Sequence, residues 1–243
     1  MRCAFSCLSS WSTSWSIKSP KPPRQNRASA PTDCNAVSGD AVSCDNATST
    51  HSTIHSPEDI LNYDKRIDYL KCSIASVKNF PKEGILFRDV TTLLEDAKAF
   101  KDSIDLLYEI YKDCKLDYIV AADARGFLFG SALAYLLGVG LVLVRKKGKL
   151  PRECYSEEYS LEYGTSTLEI TKDALHKGDR VLLLDDLLAT GGTAVAMIKL
   201  VRKSGAEIVS FGFIIELFDL GGAKLLEDTY GVNVQSLVKF PGH

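Results

Sequence analysis

The sequence predicts an α/β fold with a mostly parallel, twisted sheet flanked by helices. Short apolar runs without polar alternation recur along the chain, as in strands that are buried on both faces. Stretches with helical periodicity separate these runs, and glycines and prolines mark the changes of pattern. The 243 residues suffice for one large domain or two small ones. A net charge of −2 provides no basic field to hold nucleic acid or a membrane surface, so we expect neither partner.

The first 56 residues differ from the rest of the chain. They are rich in Ser and Thr and poor in aliphatic residues, so we expect 1–57 to be a disordered extension and 58–243 the folded domain. The first 32 residues contain five Lys or Arg and no Asp or Glu, the composition of an organelle transit peptide. The alternatives are a solvated tail without a targeting function, or an error in the predicted start of the gene. The expected location is therefore the cytoplasm, or an organelle if the extension is a transit peptide.

The elements of the folded domain follow in order. Ile67, Leu70, Ile74 and Val77 have helical spacing, and a loop at 81–84 ends this helix. The later elements are predicted from apolar runs or apolar periodicity: a helix at 100–111, a strand at 118–121, a helix at 127–137, strands at 141–144 and 181–184, a helix near 193–203 and a strand at 208–215.

Neither a membrane-spanning segment nor a metal site is expected. Residues 127–144 form an uncharged run of 18, long enough to suggest a membrane span. Gly138 and Gly140 divide it into a helix and a strand of ordinary length, which fit the pattern on either side. The seven cysteines form no CxxC pair and have no histidine at metal-ligand spacing, so we expect no metal site built by the protein alone.

The strongest chemical signal lies at 181–193, where an apolar strand ends in Asp185 and Asp186 and a loop with two glycines leads into a helix. Glycines let the backbone approach an anion closely, and a helix start directs free N–H groups toward it. A side chain at Gly191 is expected to fill the space of that anion. Adjacent carboxylates suit the two hydroxyls of a ribose. The pattern therefore predicts a ribose 5-phosphate site, and it is neither a Walker loop nor a dinucleotide fingerprint.

The run Asp-Asp-Leu-Leu-Ala-Thr-Gly-Gly-Thr at 185–193 resembles the phosphoribosyl pyrophosphate (PRPP) motif of type I phosphoribosyltransferases, in the version of their adenine-specific members. The resemblance extends over about 67–237. It implies the type I phosphoribosyltransferase fold with a small base-binding hood and a flexible catalytic loop. It also implies that Asp185 and Asp186 face the ribose hydroxyls. The 5′-phosphate would be held by Ala189, Thr190, Gly191, Gly192 and Thr193.

Two further segments resemble the diphosphate-binding loops of the family. Asp123, Ala124 and Arg125 stand between a strand and a helix, and a guanidinium binds phosphate oxygens through two parallel hydrogen bonds. The family often has another small residue or Glu in place of Ala124. The basic loop at 145–151 would by itself be a solvated face. The resemblance instead implies diphosphate contacts, with part of the loop reaching across the interface of a homodimer; the residues concerned are Arg145, Lys146 and Lys149.

The acidic and aromatic segment 155–164 interrupts the α/β alternation, as a mobile lid would. Its Ser-Leu-Glu-Tyr-Gly resembles the flexible catalytic loop of the family. The resemblance implies that Glu162 is the catalytic acid at the imidazole nitrogens of the purine and that Tyr163 belongs to the lid.

The segment 80–89 reads from its residues alone as a loop with an apolar run. It resembles the base hood of the adenine-specific members. This implies backbone contacts from Leu86 and Arg88 to the edge of adenine, and a base held between Phe87 and Leu187.

Together these resemblances imply transfer of the phosphoribosyl group of PRPP to adenine, which yields AMP and diphosphate. Mg²⁺ is expected to be bound mainly through PRPP and diphosphate oxygens. Three rival hypotheses are a transferase for hypoxanthine or guanine, a PRPP-sensing transcription regulator and a PRPP-making kinase. The regulator requires a DNA-binding domain that 1–56 looks unable to form, and the kinase requires a second nucleotide site that the sequence does not show.

Overall fold

The computed structural model describes residues 57–160 and 165–242, and an α/β fold is confirmed there. The expectations for the first 56 residues, and for Glu162 and Tyr163, lie outside this part. In chain order the elements are α1 (Pro57–Ser73), β1 (Ala75–Lys78), β2 (Leu86–Asp89), α2 (Thr91–Glu95), α3 (Ala97–Tyr111), β3 (Tyr118–Ala122), α4 (Gly126–Leu137), β4 (Gly140–Lys146), β5 (Cys154–Ser160), β6 (Thr165–Thr171), β7 (Arg180–Leu188), α5 (Gly192–Ser204), β8 (Glu207–Leu217), α6 (Gly222–Tyr230) and β9 (Val234–Phe240).

The main sheet has the strand order β5-β6-β4-β3-β7-β8-β9. The five strands from β4 to β9 in this order run parallel to one another. At one edge, β5 and β6 form an antiparallel hairpin whose β6 pairs with β4. The mostly parallel sheet that the apolar runs predict is therefore confirmed.

Both faces of the sheet are covered. Along β7, Val181 and Leu183 belong to one hydrophobic core with α5, whereas Leu182 and Leu184 belong to the other core with α3 and α4. All four side chains are fully buried. A strand that packs on both faces has no polar side to present, which explains its uninterrupted apolar sequence.

The sheet reverses its winding between β3 and β7. The chain passes from β3 through α4 to β4 on one side, and from β7 through α5 to β8 on the other. The two helices pack on opposite faces. Sheets of this kind bind ligands in the crevice beyond the carboxyl ends of the strands at such a reversal. A ligand site is therefore expected beyond the carboxyl ends of β3 and β7.

Two predicted boundaries are wrong. The first helix ends at Ser73, and Val77 lies in β1, which pairs antiparallel with β2. Residues 155–160, predicted as part of a loop, form most of β5. Tyr155 and Tyr159 pack against the core while the intervening Ser156 and Glu158 are exposed. This alternation is typical of an edge strand with one solvent-exposed face, so the polar residues of β5 do not indicate a loop.

The uncharged run at 127–144 is divided between α4 and β4, as its two glycines predict. Among the residues that the structure describes, no helix combines the length and the apolar character needed to cross a membrane.

Candidate active site at the carboxyl ends of β3 and β7

The two carboxylates of the ribose motif lie inside β7, three and two residues before its end, so the strand continues beyond the two acids at which it was predicted to end. Asp185 is 9% exposed and Asp186 is 6% exposed. Burial, followed by the nearby charge of Asp186, raises the pKa of Asp185 well above its ordinary value. Burial also raises the pKa of Asp186, against the opposing effect of Arg125. Such shifts at the base of a crevice are typical of functional carboxyl groups.

Arg125 reaches across from the start of α4 to this pair. Its Nε lies 2.7 Å from Asp186 Oδ2. The following Gly126 brings the helix start onto β7, because a Cβ at this position would lie 3.0 Å from both Asp185 Oδ1 and the Leu184 carbonyl oxygen. The absence of a side chain at Gly126 therefore lets the ribose carboxylates and the predicted diphosphate arginine meet.

The predicted phosphate loop leads into α5. Gly191 caps this helix with φ +91°, a left-handed conformation that favours glycine, and no side chain caps the helix start. The first N–H groups of α5 and its positive dipole end are thus directed at the loop, as in other anion sites. The hydroxyl-bearing Thr190 is exposed and Thr193 is half-buried.

The structure gives a reason for glycine at position 191 other than the expected space of an anion. A Cβ there would point toward α6, with Leu225 Cδ2 at 3.4 Å and Gly222 Cα at 3.5 Å. Glycine is required at this position by backbone conformation instead. Gly222 itself packs on the loop, since its Cβ would lie 2.2 Å from the Ala189 carbonyl oxygen. The first turn of α6 therefore supports the phosphate loop from behind.

The diphosphate residues of β3 and β4 are in contact. Arg145 Nε lies 3.3 Å from Asp123 Oδ2, and Arg145 Nη1 donates a hydrogen bond of 3.3 Å to the Lys149 carbonyl oxygen. The Asp123–Ala124 peptide bond is cis. Lys146 and Lys149 are exposed. Because side chains alternate along a strand, Lys146 projects to the face opposite Arg145. The structure thus brings Asp123, Arg145 and Lys149 together and leaves Lys146 apart from them.

The hood strand β2 has a free edge. Asn79 donates a backbone hydrogen bond of 2.8 Å to Ile85, which makes these residues a hydrogen-bonded pair of the antiparallel ladder. Bonded and non-bonded pairs alternate, so Val77 and Phe87 form the next bonded pair in register. The backbone N–H and C=O groups of Leu86 and Arg88 consequently face away from β1. Their orientation agrees with the predicted backbone contacts to a base.

Phe87 connects the hood with the diphosphate loop. Its ring centroid lies 5.1 Å from that of Phe80 in an edge-to-face arrangement, and the Arg125 guanidinium lies 5.8 Å from the Phe87 centroid. Leu187, the predicted second face of the base site, is half-buried near the end of β7. Phe87, Arg125 and Asp186 therefore form a continuous chain of contacts from the hood to the ribose carboxylates.

Sequence reasoning missed several residues that build this site. Gly126 and Gly222 are needed for close approach, and the only sequence signal for them was a small residue at the start of a helix. The side chain of Arg88 is buried, although the prediction concerned only its backbone. Arginine side chains are rarely buried without specific partners. The partners of Arg88 cannot be predicted from a local sequence pattern when they lie far away in the chain.

No group of three or more His, Cys, Asp or Glu side chains within 57–160 and 165–242 is arranged to hold a metal ion. The buried pair Asp185 and Asp186 nevertheless supplies hard oxygen donors, which Mg²⁺ prefers. Two carboxylates fit an ion whose other ligands come from a substrate and from water.

Comparison with known proteins identifies the family. The model of the phosphoribosyl transferase domain matches residues 89–241. The adenine phosphoribosyltransferase of Escherichia coli O157:H7 is 58% identical over 179 residues, which cover 74% of this chain and 97% of that protein.

Solved structures of adenine phosphoribosyltransferases share the fold of this chain. The adenine phosphoribosyltransferase of Thermoanaerobacter pseudethanolicus superposes with a TM-score of 0.68 at 52% identity, over 72% of this chain and 99% of that one. The Saccharomyces cerevisiae enzyme, complexed with an imino-altritol bisphosphate and adenine, has a TM-score of 0.66 at 40% identity, over 72% and 99%. Given the site geometry, the domain match and these identities, the chain belongs to the adenine phosphoribosyltransferases, within the type I phosphoribosyltransferase family.

Proposed function

We propose that this protein transfers the phosphoribosyl group of PRPP to adenine and releases AMP and diphosphate. The observation that carries the proposal is the convergence, at the reversal of the sheet, of a buried carboxylate pair, an uncapped helix start and a guanidinium. Asp186 and Arg125 meet at 2.7 Å at this point, and the phosphate loop follows β7 directly. The curated relatives with 58% identity are named for this activity.

The substrate is oriented by its two ends. The loop at 189–193 holds the 5′-phosphate with backbone N–H groups of α5 and the hydroxyls of Thr190 and Thr193. Asp185 and Asp186 accept hydrogen bonds from the ribose hydroxyls. The diphosphate lies against Asp123, Ala124 and Arg125 and against Arg145 and Lys149 of the basic loop. Lys146, on the opposite face of β4, reaches the diphosphate only across the interface of the proposed homodimer.

Displacement at C1′ of the ribose develops positive charge on the sugar ring and negative charge on the departing diphosphate. Arg125 and Arg145 are already in place to stabilise the leaving group, because each is held by a carboxylate. Preorganised charge of this kind lowers the barrier without reorganisation at the moment of reaction. Glu162, in the segment 161–164, manages the proton at the imidazole nitrogens as N9 attacks, and Tyr163 helps to close the lid over the site.

Base selectivity follows from the free edge of β2. The N–H and C=O groups at Leu86 and Arg88 face outward, and Phe87 and Leu187 enclose the ring. Adenine offers a donor at N6 and an acceptor at N1, which a strand edge can pair with. Hypoxanthine and guanine reverse this pattern, and a reversed pattern leaves buried polar groups unpaired.

Mg²⁺ binds together with PRPP. The residues that would contribute oxygens, directly or through water, are Asp185 and Asp186, and the diphosphate and ribose supply the remaining ligands. When bound, the ion neutralises charge on the leaving diphosphate.

A homodimer is the proposed assembly. The outer face of α4 exposes three large apolar side chains, Tyr135 at 85% and Leu128 and Leu136 at 45% each. Leu128 lies in the first turn of α4, three residues after Arg125, so an interface that includes Leu128 would bring a partner close to the proposed diphosphate residues. Sedimentation analysis of the protein with Tyr135→Asp tests this: the wild type is expected to be dimeric and the variant monomeric.

The extension at 1–57 is proposed to be dispensable for catalysis, and the protein to act in the cytoplasm or, if the extension is a transit peptide, in an organelle. Removal of residues 1–56 should leave kcat/KM within about twofold, since every residue assigned to the site lies between 86 and 193. A fluorescent fusion of residues 1–56 decides the location. Diffuse fluorescence supports the cytoplasm, and accumulation in an organelle supports the transit peptide.

The activity itself is tested by incubating the protein with PRPP, Mg²⁺ and an equimolar mixture of adenine, hypoxanthine and guanine. Chromatography of the products should show AMP as the dominant nucleotide. IMP or GMP as the main product would show that the preferred base is hypoxanthine or guanine and not adenine. The formation of no nucleotide at all would refute transferase activity.

A further inference from the structure

We propose that the side chain of Arg88 is a positioning residue that fixes the adenine-reading strand β2 by tying it to the segment after β9, and thereby sets the affinity for the base. This inference rests on the proposed function, because it assumes that the free edge of β2 reads adenine. It assigns to the side chain of Arg88 a role separate from that of its backbone.

The hood needs an anchor because it is small. β1 and β2 have four residues each and form a two-stranded sheet of their own, apart from the main sheet. All four residues of β1 are exposed. A two-stranded hairpin is only marginally stable in water. The position of its free edge therefore depends on the contacts that β2 makes with the rest of the domain.

The side chain of Arg88 makes three such contacts. Its Nη1 donates a hydrogen bond of 2.5 Å to Ser76 Oγ in β1, and its Nη2 donates one of 3.1 Å to the Pro241 carbonyl oxygen. The guanidinium carbon lies 4.6 Å from the centroid of the Phe240 ring, a cation–π geometry. The side chain thus joins both strands of the hood to residues 240 and 241. We call this group the Arg88 clamp.

The clamp is buried, which increases its effect. Arg88 is 8% exposed, and a charge withdrawn from water is costly unless its N–H groups are bonded. All three recorded partners are uncharged, so the guanidinium depends on their exact placement. Nε has no partner among the described polar atoms. Displacement of Ser76 Oγ or of the Pro241 carbonyl oxygen would leave a second buried donor unsatisfied, which makes the clamped arrangement strongly preferred.

The far end of the clamp is itself fixed. The N–H of Gly242 donates a hydrogen bond of 2.7 Å to Asp219 Oδ1, in the turn that follows β8. Gly242 lies so close to this turn that a Cβ would be 2.8 Å from Leu220 Cγ. Phe240 is in register with Leu217 at the end of β8. Pro241 is therefore held from both sides, and Arg88 is bonded to a point anchored on the main sheet.

These contacts predict a selective effect on the base. A strand that is already held in its binding position loses less conformational freedom when the ligand arrives, so a loosened clamp lowers adenine affinity. The phosphate loop and the ribose carboxylates lie on β7 and α5, which make none of the clamp contacts. PRPP binding should therefore be unaffected.

The test uses two variants that remove partners of Arg88 outside the proposed binding residues, Ser76→Ala and Phe240→Ala. Each should raise KM for adenine by about 3- to 30-fold, with KM for PRPP within about twofold of the wild type. Arg88→Lys keeps the charge but lacks the planar fork, so it should behave like the partner variants and not like the wild type. Hydrogen exchange of the Phe87 N–H, which is bonded to β1, should become faster in all three.

Ile104→Ala is the control, because it removes a buried side chain from α3 without touching the clamp. It should lower Tm and leave the ratio of the two KM values unchanged. The positioning role is overturned if Ser76→Ala and Phe240→Ala leave KM for adenine unchanged, or if both KM values rise together as general destabilisation would make them. A wild type that forms no AMP would instead refute the proposed function, and the Phe87 exchange rates would still test the clamp.

Discussion

Arg125 Nε and Asp186 Oδ2 are 2.7 Å apart, so the guanidinium at the start of α4 and the ribose carboxylate of β7 neutralise each other in the ligand-free protein. In the proposed PRPP complex, the ribose contacts Asp186 and the diphosphate contacts Arg125. Arg125 can bind phosphate oxygens with its outer N–H groups while its Nε keeps the carboxylate. We therefore expect the ion pair to preorganise both halves of the proposed PRPP site, and its loss to affect both.

The substitution Arg125→Ala should raise KM for PRPP by about 10- to 100-fold, since it removes a charge-assisted, two-pronged contact to the diphosphate. Arg125→Lys should have a smaller effect, because it keeps the charge without the planar fork. Initial rates at varied PRPP measure this. Arg152→Ala is the matched control: it breaks an exposed pair with Asp173 and should change KM by less than about twofold. Equal KM values for PRPP in the Arg125 and Arg152 variants would show that Arg125 does not bind PRPP.

The substitution Asp185→Asn should stabilise the ligand-free protein at neutral pH and abolish tight PRPP binding. Burial raises the pKa of Asp185 in the folded state, so at pH values between the ordinary and the raised pKa the native state binds more protons than the unfolded state. Stability therefore falls as pH rises through that window, and the loss is complete above the raised pKa. Asparagine removes this cost, which we expect to be about 1 kcal/mol.

Thermal unfolding between pH 4 and pH 8 checks this prediction. The Tm of Asp185→Asn should exceed that of the wild type most at the upper end of the range and approach it at the lower end. Asp173→Asn, at an exposed carboxylate, should show neither effect. A lower Tm for Asp185→Asn at pH 8 would show that the carboxylate is stabilising and would contradict its raised pKa.

The substitution Gly222→Ala should weaken PRPP binding by about tenfold or more, because the added Cβ would lie 2.2 Å from the Ala189 carbonyl oxygen and must push the phosphate loop. Gly221→Ala is the matched control. Gly221 has φ +75° and open space around its Cβ, so its replacement introduces backbone strain without a clash. Calorimetric titration with PRPP separates the two. If both variants lose affinity equally, strain in α6 and not pressure on the loop is responsible.

The substitution Glu162→Gln should lower kcat by about 10²- to 10⁴-fold while leaving PRPP affinity near that of the wild type, since the proposed proton transfer occurs only at the reacting base. Glu158→Gln is the control, because Glu158 is an exposed acid on the neighbouring strand β5. Steady-state rates give kcat, and calorimetry gives the PRPP affinity. A near-native kcat would exclude Glu162 from the mechanism.

The central part of the fold was predictable because its signals are local. Val181 to Leu184 form an uninterrupted apolar run, and only a strand packed on both faces uses such a run over so short a length. The glycines and acids that follow are likewise contiguous in the sequence. For this reason the sequence alone predicts where the proposed phosphate loop and ribose pair lie.

The hood and the edge hairpin were not predictable in the same way. β1 and β2 are short and largely exposed, so neither has a clear period. Polar residues on the wet face of β5 obscured its alternation. Gly126 and Gly222 are required by atoms of β7 and of the phosphate loop that lie far away in sequence, as are the partners of Arg88. Contacts of this kind depend on tertiary structure, which local patterns do not encode.

The Arg88 clamp also orders events during synthesis. The Pro241 carbonyl that accepts its hydrogen bond is separated from Arg88 by 153 positions. At translation rates of about 5–20 residues per second, the hood strand leaves the ribosome roughly 8–30 s before its anchor does. During this interval the sheet around β3, β4 and β7 can form, while β1 and β2 lack the anchor at Pro241 and keep only contacts with earlier residues, such as that of Phe87 with Arg125. The strand proposed to read the base therefore becomes anchored only after all the residues proposed to hold PRPP have been synthesised.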